Sequence, residues 1–154
     1  MTIVHRLAKK KYASDPLAGT GGVLVGGRWH EKGVRIVYCA QSLSLASLEF
    51  FVHFEPLAKA IALVAVEIEI PEALIADLPS AALPLDLDAT PPASATAALG
   101  TEWLKSGRSL ALRVPSVLTR GEFNVLVNPA HADVKRIRVR ASLDYSYDTR
   151  MWKA

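Results

Sequence analysis

Cysteine is almost absent from this sequence, which contains a single thiol, Cys39, among 154 residues. One thiol cannot form an internal disulfide, so the sequence excludes a disulfide-stapled scaffold and fits a reducing compartment. It also cannot supply the several thiolates of a structural zinc site, and the four histidines lack metal-ligand spacing. We therefore expect no metal centre.

Long hydrophobic runs are also missing. No segment contains the roughly 20 consecutive apolar residues that a membrane-spanning helix requires. Residues 1–6 lack the apolar core of a secretion signal. These absences lead us to expect a cytoplasmic protein that has no membrane partner.

A strong net charge of either sign is absent, because the sequence contains 18 basic and 15 acidic side chains and the net charge is +3. This excess attracts anionic ligands but does not by itself indicate nucleic-acid binding. Hydrophobic residues make up 51% of the chain, which favours a folded globule over disorder. Since no linker or repeat divides the sequence, we expect a single domain over residues 1–154.

Alternating and helical patterns predict an α+β fold. The predicted strands are residues 2–7, 34–39, 61–70, 109–114, 123–127 and 134–140. The predicted helices run from an N-cap at Ser42 to about Phe54, with Pro56 marking the end, and over residues 94–105, with Gly107 as the stop. Residues 9–28 are loop-rich, and residues 71–93 are expected to have little regular structure. The order of elements lacks a strict βαβ rhythm, which argues against a doubly wound sheet.

The standard phosphate-binding loops are missing, yet the chain contains a glycine-rich segment of its own, Gly26-Gly27-Arg28-Trp29-His30. No Lys-Ser or Lys-Thr follows at P-loop spacing, and no strand and helix bracket a Gly-x-Gly-x-x-Gly pattern. Arg28 beside two glycines offers a planar fork to phosphate or carboxylate. A surface turn with a solvated arginine is the alternative.

Tyr38 and Glu49 follow this segment, and each has two interpretations. Tyr38 shares a strand face with Val34 and Ile36, which is typical of a core tyrosine with its hydroxyl satisfied at the rim. Glu49 lies on a mostly apolar helical stripe, where a carboxylate is costly unless it is paired or used. The alternatives for Glu49 are a structural pair with His53 or an arginine, and a functional role.

Ser116 follows a predicted strand. If the alternation through Leu112 and Val114 continues, Ser116 falls on the buried side at the strand end, where its hydroxyl can face a pocket or cap a turn. No Gly-x-Ser-x-Gly elbow surrounds it, so we expect no acyl-transfer serine.

Arg136, Arg138 and Arg140 form a basic strand face. Such a face is most simply solvated, and nucleic-acid contact is the alternative, although no aromatic residues interleave with these arginines.

Taken in order along the chain, these residues resemble the RES domain, a family named for an arginine, a glutamate and a serine. The matching elements are Arg6, Asp15-Pro16-Leu17, Gly19, Gly26-Gly27-Arg28-Trp29, Gly33, Val37-Tyr38, Ser42, Leu48-Glu49, Val52-His53, Leu78-Pro79, Gly100, Trp103-Leu104, Leu112-Arg113-Val114-Pro115-Ser116, Glu122, Asn124, Asn128-Pro129 and His131. They cover nearly the whole chain.

The resemblance implies a toxin of a bacterial type II toxin–antitoxin pair, with an Xre-like helix-turn-helix antitoxin as partner and a homodimer or a hetero-oligomer with the antitoxin as assembly. It also implies a fold similar to that of ADP-ribosyltransferase toxins, with twisted mixed or antiparallel sheets and a few helices, and NAD+ as substrate. Family members break the nicotinamide–ribose bond and pass ADP-ribose to phosphate, water or a protein. We therefore predict an NAD+ phosphorylase or glycohydrolase. The alternatives are a protein ADP-ribosyltransferase and, from another class, a non-catalytic nucleotide- or nucleic-acid-binding module.

The resemblance also carries over a set of site residues. The implied catalytic residues are Glu49, Arg28, Tyr38 and Ser116, and the implied NAD+-binding residues are Arg6, Arg28, Tyr38, Ser116 and Asn124. In this scheme Arg6 and Arg28 grip the diphosphate or an attacking phosphate, and the Tyr38 ring stacks on nicotinamide.

Two departures from the family pattern occur near Arg28. His30 stands where the family usually has asparagine, and Thr20-Gly21-Gly22 is a variant of the usual glycine-alanine sequence. Both lie in the same loop region, so they bear on loop geometry more than on the reaction.

Overall fold

The structure is a computed structural model that describes residues 1–53 and 61–152. Its strands are β1 (Thr2–Lys9), β2 (Val37–Ala40), β3 (Leu63–Ile70), β4 (Ile75–Asp77), β5 (Ala111–Pro115), β6 (Phe123–Val127) and β7 (Arg138–Tyr145). Its α-helices are α1 (Gly21–Leu24), α2 (Leu43–His53) and α3 (Ser94–Ser106). Short 3-10 turns lie at Lys10–Tyr12, Glu72–Leu74, Ser80–Ala82, Val134–Arg136 and Thr149–Trp152.

The strands of the described residues form one seven-stranded sheet in the order β4-β5-β6-β2-β1-β3-β7. Neighbouring strands pair antiparallel, except that β4 pairs parallel with β5. A mixed sheet with a few helices confirms the predicted α+β class. Among the described residues, no helix is long and apolar enough to cross a membrane.

The pairing of β1 with β3 extends over the whole length of both strands. The alternation predicted for β3 is confirmed, because Val64, Val66 and Ile68 are at most 3% exposed, whereas Glu67 on the opposite face is half-buried. A β-branched row of this kind packs well on a pleated surface, so its burial fixes the register of the strand.

Two large clusters of buried hydrophobic side chains pack on the sheet and stabilise it. The first includes Val4, Val37, Val66, Ile68 and Val125. The second includes Trp29, Trp103, Leu112, Val114 and Leu126. Because Tyr38 pairs directly with Leu126, the second cluster lies on the sheet face that carries the Tyr38 side chain.

Helix α3 packs against the turn that follows α1. A Cβ atom at Gly100 would overlap the carbonyl oxygen of Trp29, so only glycine permits this close approach. Thr101 adds a bond in which its Oγ1 accepts the Glu31 N–H at 2.8 Å. Helix α3 ends at Ser106 and is followed by Gly107, whose φ is 60°. This confirms the predicted glycine stop.

Helix α2 begins as predicted. The Ser42 Oγ accepts the backbone N–H of Leu45 at 3.1 Å, which is an N-cap interaction. Leu45 and Ala46 are buried against β1 and β2. The predicted end near Phe54 and Pro56 lies outside the described residues.

Two predicted segments differ from the structure. Residues 71–93 are not simply irregular, because Ile75–Asp77 forms β4 and bonds to the open edge of β5. The predicted strand at residues 134–140 is wrong in its first half. There, Ile137 donates its N–H back to the Val134 carbonyl at 3.1 Å, which forms a tight turn before β7 starts.

Candidate active site

A carboxylate held by two neutral donors forms the centre of the candidate site. Asn124 donates from Nδ2 to Glu49 Oε1 at 2.7 Å, and Ser116 donates from Oγ to the same oxygen at 3.2 Å. The three side chains come from α2, the end of β5 and the start of β6. In the described structure the partners of Glu49 are therefore these groups rather than His53 or an arginine, the structural pair that the sequence left open.

Ser116 combines the two roles that its position allowed. Its side chain is on the buried side of β5, as the alternation predicted, and the residue is 6% exposed. Its Oγ accepts the backbone N–H groups of Leu118 and Thr119 at 3.2 and 3.1 Å. Because both lone pairs are then engaged, the hydroxyl proton is directed at Glu49.

Asn124 carries an acceptor that no described group satisfies. Its Nδ2 must face Glu49, because a carboxylate oxygen only accepts, and this orientation leaves Oδ1 buried without a hydrogen-bond partner. An unpaired buried acceptor costs about 1–3 kcal/mol. Its presence beside a carboxylate favours a ligand that brings N–H or O–H groups.

Tyr38 lies on the same sheet face as Asn124, because Ala40 pairs with Asn124 and Tyr38 is two residues away. Its hydroxyl oxygen is 3.2 Å from the Trp29 N–H and 2.7 Å from His30 Nδ1. Burial raises the pKa of Tyr38 well above its usual range; the charge of Glu49 raises it further, whereas Arg28 and the Trp29 N–H oppose the rise. The phenol therefore stays neutral, and both charged residues act on it.

Arg28 occupies a two-residue turn that is closed by the bond from Gly27 N–H to the His30 carbonyl at 3.0 Å. Its Nη1 donates to the carbonyl oxygens of Leu87 and Ala89 at 2.6 and 3.0 Å. The solvated turn that was the alternative interpretation does not describe this arginine. It ties residues 84–90, hereafter the 84–90 segment, to the turn.

A cavity of about 300 Å³ lies next to Ser116. It is lined by Leu85, Leu87, Asp88, Ser116, Val117 and Arg120. This volume is at the lower end of the range for small-molecule sites. Three of the lining residues belong to the 84–90 segment, so that segment borders the cavity that Ser116 shares with the candidate site.

The site residues follow one another along the sequence in the order found in a known protein family. The sequence profile of the RES domain matches residues 3–148. The chain belongs to the RES domain family.

Curated relatives of this RES domain carry toxin names. The chain is 41% identical over 145 residues to the "Prs ADP-ribosylating toxin" of Sphingobium sp. (strain YBL2), which covers 92% of this chain and 90% of that protein. It is 41% identical over 155 residues to "Toxin Res" of Photorhabdus laumondii, which covers 99% of this chain and 98% of that protein. A "Toxin Res" of Yersinia enterocolitica is 33% identical over 150 residues, with 97% of this chain and 99% of that protein covered.

A solved structure shares the fold. The RES domain superposes on a chain in the crystal structure of the M. tuberculosis MbcT-MbcA toxin-antitoxin complex with a TM-score of 0.77. The match covers 94% of this chain and 84% of that chain at 18% identity. At this identity the likeness shows a common architecture.

Arg6 has a separate place in this RES domain. It pairs with Val66 on β3, and its Nη1 donates to the Tyr38 carbonyl at 3.4 Å. Burial lowers the pKa of Arg6, partly offset by Cys39, and its Nε is a buried donor without a described partner. Arg6 therefore contacts Tyr38 through the backbone and does not join the hydrogen bonds around Glu49.

The structure also defines the surroundings of Trp29 and Arg140. Trp29 is 2% exposed within the second cluster, so it supports the turn. On the basic strand, Arg140 lies 3.8 and 3.4 Å from carboxylate oxygens of Glu67 and Glu69. These acids offset the positive charge of Arg140 locally, which favours the solvated-face interpretation; the predicted strand face is wrong for Arg136, which lies in the 3-10 turn before β7.

Sequence reasoning missed the 84–90 segment as part of the site. The alternation of Leu83, just before the segment, with Leu85 and Leu87 inside it offered a weak signal, because alternating apolar residues are typical of an extended stretch that packs on one side. Leu83 and Leu87 do pack on the second cluster, whereas Leu85 is fully exposed at the cavity.

Proposed function

We propose that this RES domain is a toxin that breaks the bond between nicotinamide and ribose in NAD+, acting in the cytoplasm. The observation that carries the proposal is the Glu49 carboxylate, held by Asn124 and Ser116 beside a cavity. The toxin names of relatives at 41% identity support the same conclusion.

The reaction requires negative charge at the ribose. When the C1″–N bond breaks, its electron pair moves to the ring nitrogen, and neutral nicotinamide leaves. The sugar carbon then gains oxocarbenium-like positive charge. A fixed carboxylate stabilises such charge without reorganising, and more strongly in a partly buried site than in water. Glu49 is the residue that can supply it here.

The unsatisfied groups of the site fit the donors of this substrate. Asn124 Oδ1 is a buried acceptor without a described partner, and a ribose hydroxyl or the nicotinamide carboxamide offers the missing N–H or O–H. Arg28 donates to Leu87 and Ala89 from Nη1 alone. A guanidinium has five N–H donors, so its other nitrogens can meet the diphosphate or an attacking phosphate.

The oxygen that replaces nicotinamide defines the product. Phosphate gives ADP-ribose-1″-phosphate, and water gives ADP-ribose with release of a proton. Arg120 lines the cavity, and Arg28 donates to the carbonyl of Leu87, which lines it too. These two cations outnumber the one acid of the lining, Asp88, and favour an anionic co-substrate over water.

A protein acceptor is the second candidate. One relative at 41% identity is named as a "Prs ADP-ribosylating toxin", and the same residues would serve both reactions. In that case ADP-ribose becomes attached to a protein side chain, and the free NAD+ pool is largely spared.

An Xre-like antitoxin is the partner that we propose, either bound to one toxin copy or within a larger hetero-oligomer. The shared fold with a chain of a toxin-antitoxin complex supports a partner of this general kind.

Product analysis tests the function. The purified protein is incubated with NAD+, with and without inorganic phosphate, and nicotinamide release is followed by chromatography and mass spectrometry. ADP-ribose-1″-phosphate or ADP-ribose supports the proposal, and a labelled protein in a lysate supports the second candidate. Intact NAD+ together with unlabelled protein would contradict both.

A further inference from the structure

His30 is bonded at both ring nitrogens. It is 5% exposed, its Nε2 is 2.8 Å from the Val25 carbonyl oxygen, and its Nδ1 is 2.7 Å from the Tyr38 hydroxyl. A carbonyl oxygen only accepts, so Nε2 carries the hydrogen. In a neutral ring Nδ1 is then the acceptor, and the Tyr38 hydroxyl donates to it.

The bonds around Tyr38 therefore form one directed chain. The Trp29 N–H donates to the Tyr38 oxygen at 3.2 Å, the Tyr38 hydroxyl donates to His30, and His30 donates to Val25. Each polar atom of the Tyr38 and His30 side chains is a donor or an acceptor in this series of hydrogen bonds. The Tyr38 hydroxyl is consequently occupied inside the protein.

Glycines shape the slot that holds the imidazole. A Cβ atom at Gly27 would lie 2.7 Å from His30 Cε1 and 3.0 Å from the Tyr38 hydroxyl oxygen. One at Gly22 would lie 3.2 Å from His30 Cδ2. A side chain at Gly27 would therefore push the imidazole off the hydroxyl, whereas one at Gly22 would first meet the Val34 carbonyl oxygen, so the close fit of the imidazole depends on Gly27 above all.

We propose that His30 is a positioning residue, which holds the Tyr38 ring in place by accepting the proton of its hydroxyl, so that Tyr38 meets the ligand with its ring face and not with a transferable proton. The inference rests on the proposed function for its activity readout. It means that Tyr38 transfers no proton to the substrate, and that His30 and Tyr38 act as one unit.

The histidine tautomer is tested without any reaction. Nitrogen-15 NMR of the wild-type protein, with histidine labelled, distinguishes a protonated Nε2 from a protonated Nδ1. We expect the Nε2–H form for the His30 signal, which is assigned by its loss in the His30→Gln protein. The Nδ1–H form or a mixture of both would overturn the proposal.

A double-mutant cycle tests the coupling. The single variants His30→Leu and Tyr38→Phe and their combination are compared by thermal unfolding. If the two residues act through one bond, the double variant melts close to the less stable single variant. Fully additive losses in melting temperature would contradict the inference. His53→Gln, which changes an exposed histidine at the end of α2, is the control substitution.

Kinetics with NAD+ separate positioning from general stability. In folded protein, His30→Leu and Tyr38→Phe should each raise KM by about five- to tenfold, with no further rise in combination and partial rescue by His30→Gln. A large loss of kcat in Tyr38→Phe would assign the hydroxyl to the chemistry and refute the proposal. If wild-type protein leaves NAD+ intact, the proposed function fails, while the NMR and unfolding results still decide the role of His30.

Discussion

Asn124 donates from Nδ2 to Oε1 of Glu49 at 2.7 Å, although the two residues lie 75 positions apart in the sequence. The bond joins the start of β6 to the middle of α2, so strand and helix together fix one carboxylate oxygen. It also orients the Asn124 amide so that Oδ1 is the group left for a ligand.

Loss of the Glu49 charge should strongly reduce turnover and preserve the fold. Glu49→Gln retains the shape of the side chain but removes the charge that stabilises the sugar carbon, so we expect a loss of NAD+ turnover of about 100- to 1,000-fold. Nicotinamide release measures it, and circular dichroism checks folding. Glu102→Gln on the exposed part of α3 is the matched control. Wild-type turnover by Glu49→Gln would remove Glu49 from the mechanism.

A second carboxylate beside Glu49, introduced by Asn124→Asp, should lower NAD+ turnover more than removal of the amide by Asn124→Ala. In Asn124→Asp two acids compete for one site, one of them takes up a proton, and the charge on Glu49 is weakened. We expect a larger loss of turnover at neutral pH in Asn124→Asp than in Asn124→Ala, by about tenfold or more. Steady-state kinetics at pH 7 compare the two variants. Equal activity in both variants would contradict the competition between two carboxylates, because it would leave the loss of the Asn124 amide as the sole cause of the effect.

Arg28→Lys should loosen the 84–90 segment. Lysine keeps the positive charge, but its ammonium is one bond closer to the backbone than the Arg28 Nη1 that donates to both the Leu87 and the Ala89 carbonyl, so it cannot reach both from the same position. We expect faster proteolytic cleavage in this segment and a KM for NAD+ raised about tenfold. Arg35→Lys, where an exposed arginine donates to the Ala18 carbonyl, is the control. Unchanged cleavage would mean that packing of Leu87 alone holds the segment.

The C-terminal aromatic residues should stabilise the helix that carries Glu49. The Tyr147 hydroxyl donates to the Ser47 carbonyl at 2.6 Å, and the Tyr145 hydroxyl lies 2.8 Å from Ser47 Oγ. Tyr147→Phe and Tyr145→Phe should each lower the unfolding free energy by about 0.5–1.5 kcal/mol. Denaturant unfolding measures the change, and the exposed Tyr12→Phe is the control. Equal stability of all three variants would show that ring packing, of Tyr147 against Phe51 and of Tyr145 against Tyr147, is sufficient without the hydroxyl bonds.

Cys39 should make stability fall at alkaline pH. Burial raises the pKa of its thiol to about 12, from 9.0 in the unfolded chain, against the opposing charge of Arg6. The neutral thiol is thus favoured in the folded state, so its contribution is complete below pH 9 and is lost as the pH rises towards 12. Between these values the unfolding free energy of wild type should fall by up to about 1.4 kcal/mol per pH unit more than that of Cys39→Ala. Parallel slopes would contradict the buried position of the thiol.

Much of the fold could be predicted from local patterns. The alternation in β3, the Ser42 cap of α2 and the Gly107 stop of α3 depend on neighbours within a few residues, so the sequence displays them directly. The start of β7 could not be read in this way, because the turn at Val134 and Ile137 competes with extension for the same backbone groups. β4 was missed for a related reason, since a three-residue strand exists only because β5 offers it an open edge.

In the candidate site, too, some properties could be predicted from the sequence and others depend on the tertiary structure. The sequence by itself determined which residue types are present in family order, and therefore that Arg6, Arg28, Tyr38, Glu49, Ser116 and Asn124 were the residues to examine. The tertiary structure decided their contacts. Ser116 and Asn124 donate hydrogen bonds to Glu49, and Arg28 donates to the 84–90 segment. The Tyr38 hydroxyl is hydrogen-bonded to His30, and Arg6 donates to the Tyr38 carbonyl. Those contacts join residues between 8 and 75 positions apart, and such distances are closed only by strand pairing and helix packing, which local sequence does not encode.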